Sequence, residues 1–473
     1  MIIRDWQYSE INGKFPAKPA GPVQKFGQIF FDYGLLNNNV LNQPGFVQKR
    51  IHLQIVKMDP RKINIREYSY TLPPGRIAVH PPEKRDGGKL LVYKNGRVSA
   101  DLFRNLPEHI SPGSLMVFNS SKVMAARVIF TKATGGQIEI FILEPDGHHG
   151  EISQAMQTTG SIEAWCLVGG ASKWKHGLRL EKDMVINGRH LKLYATISHK
   201  EENRFRIGFS WTPENIPFAE ILDSFGQVPL PPYLHRDPEE EDKIRYQTVY
   251  AQKEGSVAAP TAGLHFTPDT LQALAKRQVD ILYLTLHVGA GTFKPVTAEK
   301  LEGHEMHAEY LECTPHLLEK LLEHEDVAAV GTTSMRCIES LYWLGVKLLN
   351  DPGLEAGSLF LSQWELYDEP LSSSAATKEQ ALNALLNWME KQSIAHFYTH
   401  TALLIVPGYK FRVTRKLVTN FHQPQSTLLL LVAAFAGKNW KEIYDFALEN
   451  DFRFLSYGDS SLLMPDDQST TSN

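Results

Sequence analysis

Six β-rich segments crowd into residues 127–211 of the chain, at 127–133, 137–143, 162–168, 178–186, 190–198 and 204–211, with glycine and polar turns between them. Apolar and polar residues alternate in Gln137-Ile138-Glu139-Ile140 and in Arg204-Phe205-Arg206-Ile207, the period of a half-buried strand. Many short strands at this spacing predict a small antiparallel β-barrel. On both sides the pattern changes to strand-like runs alternating with amphipathic helical ones, which predicts an α/β fold. The block leaves from a strand and returns into a helix near Ile216, so it is expected to be an insertion. The expected organisation is a main α/β domain made of 58–125 and 213–464, with an inserted small antiparallel β-barrel domain at 126–212.

The densest chemistry lies in residues 246–295. Two short loops, 259–266 (APTAGLHF) and 287–292 (HVGAGT), each carry a histidine among small residues and bracket one helix and one strand. Thr267-Pro268-Asp269 predicts the helix start: threonine caps, proline suits the first helical position, and aspartate suits the positive dipole end. Residues 279–286 form an apolar β-rich run ending at His287. Ligands of open α/β sheets collect where strands end, so His265 and His287 are candidate active-site residues, with Gly263, Gly289 and Gly291 letting backbone approach a ligand closely. Taken singly, either histidine also has an ordinary reading as a satisfied residue of a turn. Lys294 stands where a dinucleotide fingerprint needs its third glycine, so a Rossmann cofactor site is not expected.

Two further strand-to-helix turns repeat the arrangement. Residues 327–330 predict a strand, followed by Gly331-Thr332-Thr333-Ser334 and a long apolar-periodic helix, the geometry that binds anions through unpaired N–H groups. Arg336 sits in the first turn of that helix, where its charge opposes the dipole. Asn420 and His422 occupy a third such turn, after the strand end at 417–419, and Ser426 is expected to cap the apolar helix that follows. His304 and His307 have a metal-like H-x-x-H spacing with Glu309 beyond, but zincin histidines lie four apart on a helix, so no metal is expected. Thr377 to Gln380 form a capping box ahead of an amphipathic helix.

Hydrophobic residues make up 42% of the chain and charged residues 22%, as in ordinary globular proteins. Three widely separated cysteines imply no disulfide framework. No signal-peptide core begins the chain, and the longest apolar run, 427–436, is too short to span a bilayer. A cytoplasmic protein without a membrane partner is expected. A formal net charge of −4 leaves nucleic acid open, since a local basic face suffices. Candidate patches are Lys173, Lys175 and Arg179; Arg204 and Arg206; and Lys410, Arg412, Arg415 and Lys416.

The blocks VPLPPYLHR, RYQTVYAQKEGSVAAPTAGLHFT, TLHVGAGTFKPV, HEMHAEY, VGTTSMRCIESL, LVTNFHQPQSTLLLLVAAFAG and FRFLSYGD occur in that order. Together they resemble the S-adenosylmethionine:tRNA ribosyltransferase-isomerase family of queuosine biosynthesis. The resemblance runs from about residue 58 to 465, with a divergent insertion at 345–404. It implies an α/β domain carrying an inserted barrel, and it leaves residues 1–57 as a non-native or disordered leader and 465–473 as a disordered tail. It implies no cofactor, S-adenosyl-L-methionine as co-substrate, and tRNA carrying 7-aminomethyl-7-deazaguanine at the wobble position as partner, with the protein acting as a monomer. The implied reaction moves the ribosyl part of S-adenosylmethionine onto that base, releasing adenine and methionine and giving epoxyqueuosine. In the mechanism proposed for the family, a proton leaves the carbon beside the sulfonium, the ribose opens and adenine is expelled.

These steps need a base, an acid, a holder for the methionine carboxylate and something to balance the sulfonium. The residues expected to meet them are His265, His287 and His422 for proton transfer, and Arg336 with Thr332 and Thr333 for the anion. Glu309 would balance the cation, and Gly263, Gly289, Gly291 and Asn420 would complete the substrate site. Lys89 and Lys122 replace arginines usual in the family, which keeps charge but loses the bidentate fork. Two other readings stay open: a catalytically degenerate RNA-binding homologue, and a metal-dependent hydrolase using His304 and His307.

Overall fold

The computed structural model describes residues 59–146, 152–175, 177–186, 188–201, 204–287, 299–306 and 308–465. The expectations for the leader, for the tail past Pro465, and for Gly289, Gly291 and His307 lie outside the described residues.

The chain opens the main sheet with β1 (Lys89–Lys94), β2 (Arg97–Leu102) and β3 (Leu115–Asn119), followed by the short β4 (Ser121–Val123). Asn95 and Gly96 join β1 to β2 with φ of 51° and 70°, the left-handed pair that a two-residue hairpin requires. Next come β5 (Arg127–Thr131), β6 (Gln137–Pro145), β7 (Ser161–Gly169), β8 (Leu180–Ile186), β9 (Arg189–Lys200), β10 (Phe205–Thr212) and β11 (Gly226–Gln227). The rest of the chain adds β12 (Lys253–Ser256), β13 (Asp280–His287), β14 (Glu309–Cys313), β15 (Val327–Val330), β16 (Phe397–Thr401), β17 (Thr414–Asn420) and β18 (Ser460–Met464). The helices used below are α1 (Phe218–Phe225), α2 (Pro268–Lys276), α3 (Pro315–Glu323), α4 (Thr332–Asn350), α5 (Lys378–Lys391), α6 (Thr427–Ala436) and α7 (Trp440–Glu449).

Nine strands make the main sheet, in the order β16-β14-β13-β3-β15-β17-β18-β1-β2. The centre, β13-β3-β15-β17, is parallel; β14 and β16 flank it by antiparallel pairs, and on the other side β18 is antiparallel to β17 and parallel to β1, with β1 antiparallel to β2. Of its central strands, β15 and β3 are buried along their whole length, as expected of parallel strands covered on both faces. One face packs on a large core that includes α4 and α6. The other packs on a smaller one containing Phe103, Phe118 and Phe266.

Strands β5 to β10 fall in the six segments expected from alternation. They join β11 in a curled antiparallel half-barrel of order β11-β5-β6-β7-β10-β9-β8. This sheet has its own core around Phe130, Phe209, Trp211 and Phe218. Among the described residues its outer strand β8 pairs only with β9.

The insertion at 345–404 is part of the main sheet's architecture. It supplies the edge strand β16, which pairs with β14, and helix α5, whose capping box of Thr377 and Gln380 forms as the sequence predicts. Helix α5 lies so close to α4 that a Cβ on Gly345 would stand 1.9 Å from the Ala381 carbonyl oxygen. The three cysteines are free and buried. Among the described residues no helix is long and apolar enough to cross a membrane.

Candidate active site

Strand register brings the expected site residues to one edge of the main sheet. Leu284 of β13 is level with Asn119 of β3, and Phe118 is level with Val330 of β15. Val330 is in turn level with Val418 of β17, and Asn420 faces Ser460. His287, Thr332 and Asn420 thus leave the sheet from the same side. The antiparallel neighbours add the opposite strand ends, because Tyr310 faces His287 and Glu309 faces Thr401.

The 3-10 turn Thr261–His265 hangs over this edge and buries His265 to 2% exposure. Asn420 Nδ2 lies 3.2 Å from His265 Nε2, and the ring packs against Phe103 at 5.0 Å. The Arg85 carbonyl bonds the ring as well, so the imidazole donates on one side and accepts at Nε2 on the other. That pairing fixes one neutral tautomer. Burial pushes the His265 pKa down to about 4, with Arg453 and Arg85 acting in the same direction. Asn420 Oδ1 is buried without a hydrogen-bond partner among the described residues.

His287 is also held neutral. Burial lowers its pKa to about 4, with Lys253 adding to the effect and Glu312 opposing it, and its buried Nδ1 has no partner among the described residues. His422 has a different environment. Its Nε2 is 3.0 Å from Thr419 Oγ1, its backbone N–H donates to the Tyr444 hydroxyl at 3.1 Å, and the Tyr70 hydroxyl bonds its carbonyl. Burial lowers its pKa to about 4. Each of the three rings is therefore uncharged at neutral pH.

Arg336 and Glu309 come together in a buried ion pair, Nη1 to Oε2 at 2.5 Å, with the side chains 7% and 5% exposed. Arg336 Nε also donates to the Leu403 carbonyl at 3.0 Å, while its buried Nη2 has no partner among the described residues. Glu309 is thus committed to Arg336, and the two roles expected of them separately belong to one neutral pair. Thr332 is buried and Thr333 half-buried at the start of α4, where no side-chain cap is present. Gly331, at φ 92°, makes the turn from β15 in a region that L side chains avoid.

Gly263 departs from expectation. A Cβ there would meet the Tyr250 hydroxyl at 2.0 Å and Thr248 Cγ2 at 2.9 Å. The missing side chain makes room for Tyr250 and leaves no space for a nucleoside on that side. Sequence reasoning also passed over Asn119, whose Nδ2 donates to the Leu286 carbonyl at 2.9 Å and whose Oδ1 accepts from the Leu286 N–H at 3.2 Å. This side chain ties β3 to β13 beside His287, and only its place at a strand end could have marked it.

The lysines standing for arginines have partners inside the protein. Lys89 Nζ donates to the Asn450 and Asp451 carbonyls at 2.7 and 3.1 Å, closing the end of α7. Lys122 pairs with Glu254 at 3.0 Å. Most of the candidate basic patches are likewise occupied. Arg206 pairs with Asp146 and Glu163, Arg204 with Glu201 at 2.6 Å, and Arg179 with Glu181 at 3.1 Å. Lys416 is buried against Asp326. No cluster of three or more metal-ligating side chains exists among the described residues.

Comparison with known proteins places these features in a family. The family described as Queuosine biosynthesis protein matches residues 65–463. A relative from Halothermothrix orenii, S-adenosylmethionine:tRNA ribosyltransferase-isomerase, is 34% identical over 411 residues, covering 85% of this chain and 100% of the relative. A solved structure of S-adenosylmethionine tRNA ribosyltransferase from Thermotoga maritima is similar at 27% identity and a TM-score of 0.39, over 84% of this chain and 100% of that one. With a family match across most of its length, the chain belongs to the queuosine biosynthesis protein family.

Proposed function

We infer that this chain is an S-adenosylmethionine:tRNA ribosyltransferase-isomerase of queuosine biosynthesis. The observation that carries the reading is the 34% identity to the Halothermothrix orenii relative across that protein's whole length. The site geometry supports it. The reaction begins by removing a proton from carbon, which requires an uncharged base in a dry setting. His265 is the candidate: it is uncharged, and its Nε2 lone pair, which accepts from the Asn420 amide, becomes available when that amide turns away.

Protonation of Nε2 would set its new N–H against the Asn420 amide donor. Turning that amide presents Oδ1, which has no other partner among the described residues, so Asn420 can serve both charge states of the ring. At the start of α4, uncapped N–H groups and Arg336 Nη2 offer donors for the methionine carboxylate. The Glu309–Arg336 pair holds those donors in place without adding net charge beside the sulfonium. The acceptor is tRNA bearing 7-aminomethyl-7-deazaguanine, the protein acts in the cytoplasm as a monomer, and residues 126–212 act as the inserted barrel domain. No cofactor or metal is required beyond S-adenosylmethionine as co-substrate.

The test is incubation of the protein with S-adenosylmethionine and a tRNA transcript carrying 7-aminomethyl-7-deazaguanine, then nucleoside analysis by mass spectrometry. The expected result is epoxyqueuosine with release of adenine and methionine. Absence of product while tRNA still binds would overturn the assignment and favour a degenerate RNA-binding homologue.

A further inference from the structure

Arg85 and Arg245 line a narrow cleft beside His265, together with Ser456 and Tyr457. Each guanidinium spends its hydrogen bonds mainly on carbonyl oxygens. Arg85 donates to Leu264 O at 3.1 Å and to Ile244 O at 2.6 Å. Arg245 donates to the carbonyls of Pro82 and Glu83. Among the described residues no carboxylate lies within 4 Å of Arg85. The carboxylate on Arg245 is Glu241 at 3.2 Å, whose side chain is 63% exposed and therefore screened. Asp242, the buried acid nearby, is taken by Arg236 Nη1 and Nη2 at 2.6 and 2.7 Å.

This separates the pair from the protein's other arginine-rich surfaces, where Arg204 and Arg206 each have acidic partners. The two guanidiniums are close enough that Arg245 helps lower the Arg85 pKa, after burial. Among the described residues, the buried Arg245 Nε has no partner. Two like charges with mainly neutral partners leave a local positive potential at the cleft, which favours an anion. The enclosed space is only about 10 Å³, on the order of one water. A nucleoside cannot enter it, whereas one oxygen of an anion can sit at its mouth.

We propose that Arg85 and Arg245 form a phosphate-binding subsite that takes a backbone phosphate of the tRNA next to the modified nucleoside. The proposal rests on the tRNA-modifying reading above. Phosphate contacts set register without reading sequence, and this one sits against the turn that carries His265. Fixing a flanking phosphate here would therefore position the wobble base over the sheet edge. The methionine carboxylate is the other oxyanion of the reaction, and its proposed donors at the start of α4 are not among the residues that line this cleft.

The experiment measures binding of a tRNA anticodon stem-loop by fluorescence anisotropy across salt concentrations, for the wild type and for Arg85→Gln. The expected result is a five- to twentyfold weaker Kd for the variant and a log–log salt slope smaller by about 1, one phosphate contact's worth. S-adenosylmethionine binding by calorimetry should stay unchanged. A second measurement needs no variant: the wild type is titrated with stem-loops carrying one neutral methylphosphonate at each position flanking the wobble nucleoside. One position should weaken binding by a similar factor. The proposal is overturned if no methylphosphonate position matters, or if Arg85→Gln loses S-adenosylmethionine affinity while keeping its tRNA affinity and salt slope. Failure of the wild type to bind any stem-loop would instead overturn the tRNA-modifying reading itself.

Discussion

Replacing Asn420 by aspartate tests whether His265 is the base and why it is neutral. In the native site the ring accepts from an uncharged amide, and burial holds its pKa near 4. The pH profile of kcat/KM reports the free enzyme's essential base, so the acid limb should lie near 4. At pH 5.5 about 97% of His265 would then be neutral, against about 9% for an ordinary histidine of pKa about 6.5. Wild-type kcat/KM should hardly change between pH 7.5 and 5.5.

Asn420→Asp places a carboxylate where the amide stands. At about 4 Å and an effective dielectric of about 20, ion pairing contributes roughly 4 kcal/mol before the cost of burying the new charge. Carboxylate neighbours raise pKa values by about 1–3 units in practice. The limb should therefore move to about 6, and at pH 5.5 the variant should keep about a quarter of its own plateau. Asn420→Ala is the control, with a lower plateau and no upward shift of the limb. The assay is initial-rate adenine release at subsaturating tRNA. A wild-type limb near 6.5, or an aspartate profile lying on the wild-type one, would refute the reasoning.

Three further outcomes are expected. Gly263→Ala should cost about 1–3 kcal/mol by overpacking, read by urea unfolding, because Tyr250 is wedged against Phe118 and Tyr283; an unchanged midpoint would contradict the contact. Glu309→Ala should cost about 3–5 kcal/mol by stranding the buried Arg336 charge, with the double variant Glu309→Ala/Arg336→Met recovering much of the loss in the same assay. Stability should fall on acidification, because a histidine whose folded pKa is depressed lets the unfolded chain bind more protons between about pH 4 and 6.5. Between pH 7.5 and 5.0 each of His265, His287 and His422 should contribute about 2 kcal/mol of loss, and His422→Gln should remove one such share from the urea titration.

What the sequence could reveal follows the reach of each signal. Local signals did well: alternation located β5 to β10, the Thr267-Pro268 cap started α2 with Thr267 accepting from the Thr270 N–H, and the capping box started α5. The polar strand ends singled out in the sequence gather at one edge of the sheet. Pairings across the fold were out of reach. Glu309 and Arg336 are 27 residues apart, and His265 and Asn420 are 155 apart, and no local pattern says which cation meets which acid. Arg85 and Arg245 lie on loops without periodicity, so their clustering depends entirely on tertiary packing.

The sheet's two faces decide which histidines can act together. Along β17, Leu417 belongs to the large core and Val418 to the smaller one, so by period two Thr419 and Asn420 point to opposite faces. Asn420 meets His265 on the smaller-core side, whereas His422 bends back to Thr419 and Tyr444 on the other. On β13, Leu282, Leu284 and Leu286 enter the large core, and Tyr283 packs on Phe118 and Tyr250 opposite. His287, four residues beyond Tyr283, shares that second face with His265 and Asn420. His265 and His287 thus lie on one face of the sheet, while the ring of His422 turns to Thr419 on the other. His265 and His287 are therefore the pair we propose for proton transfer. His422, bound through its ring, its N–H and its carbonyl, serves to lock the turn that presents Asn420.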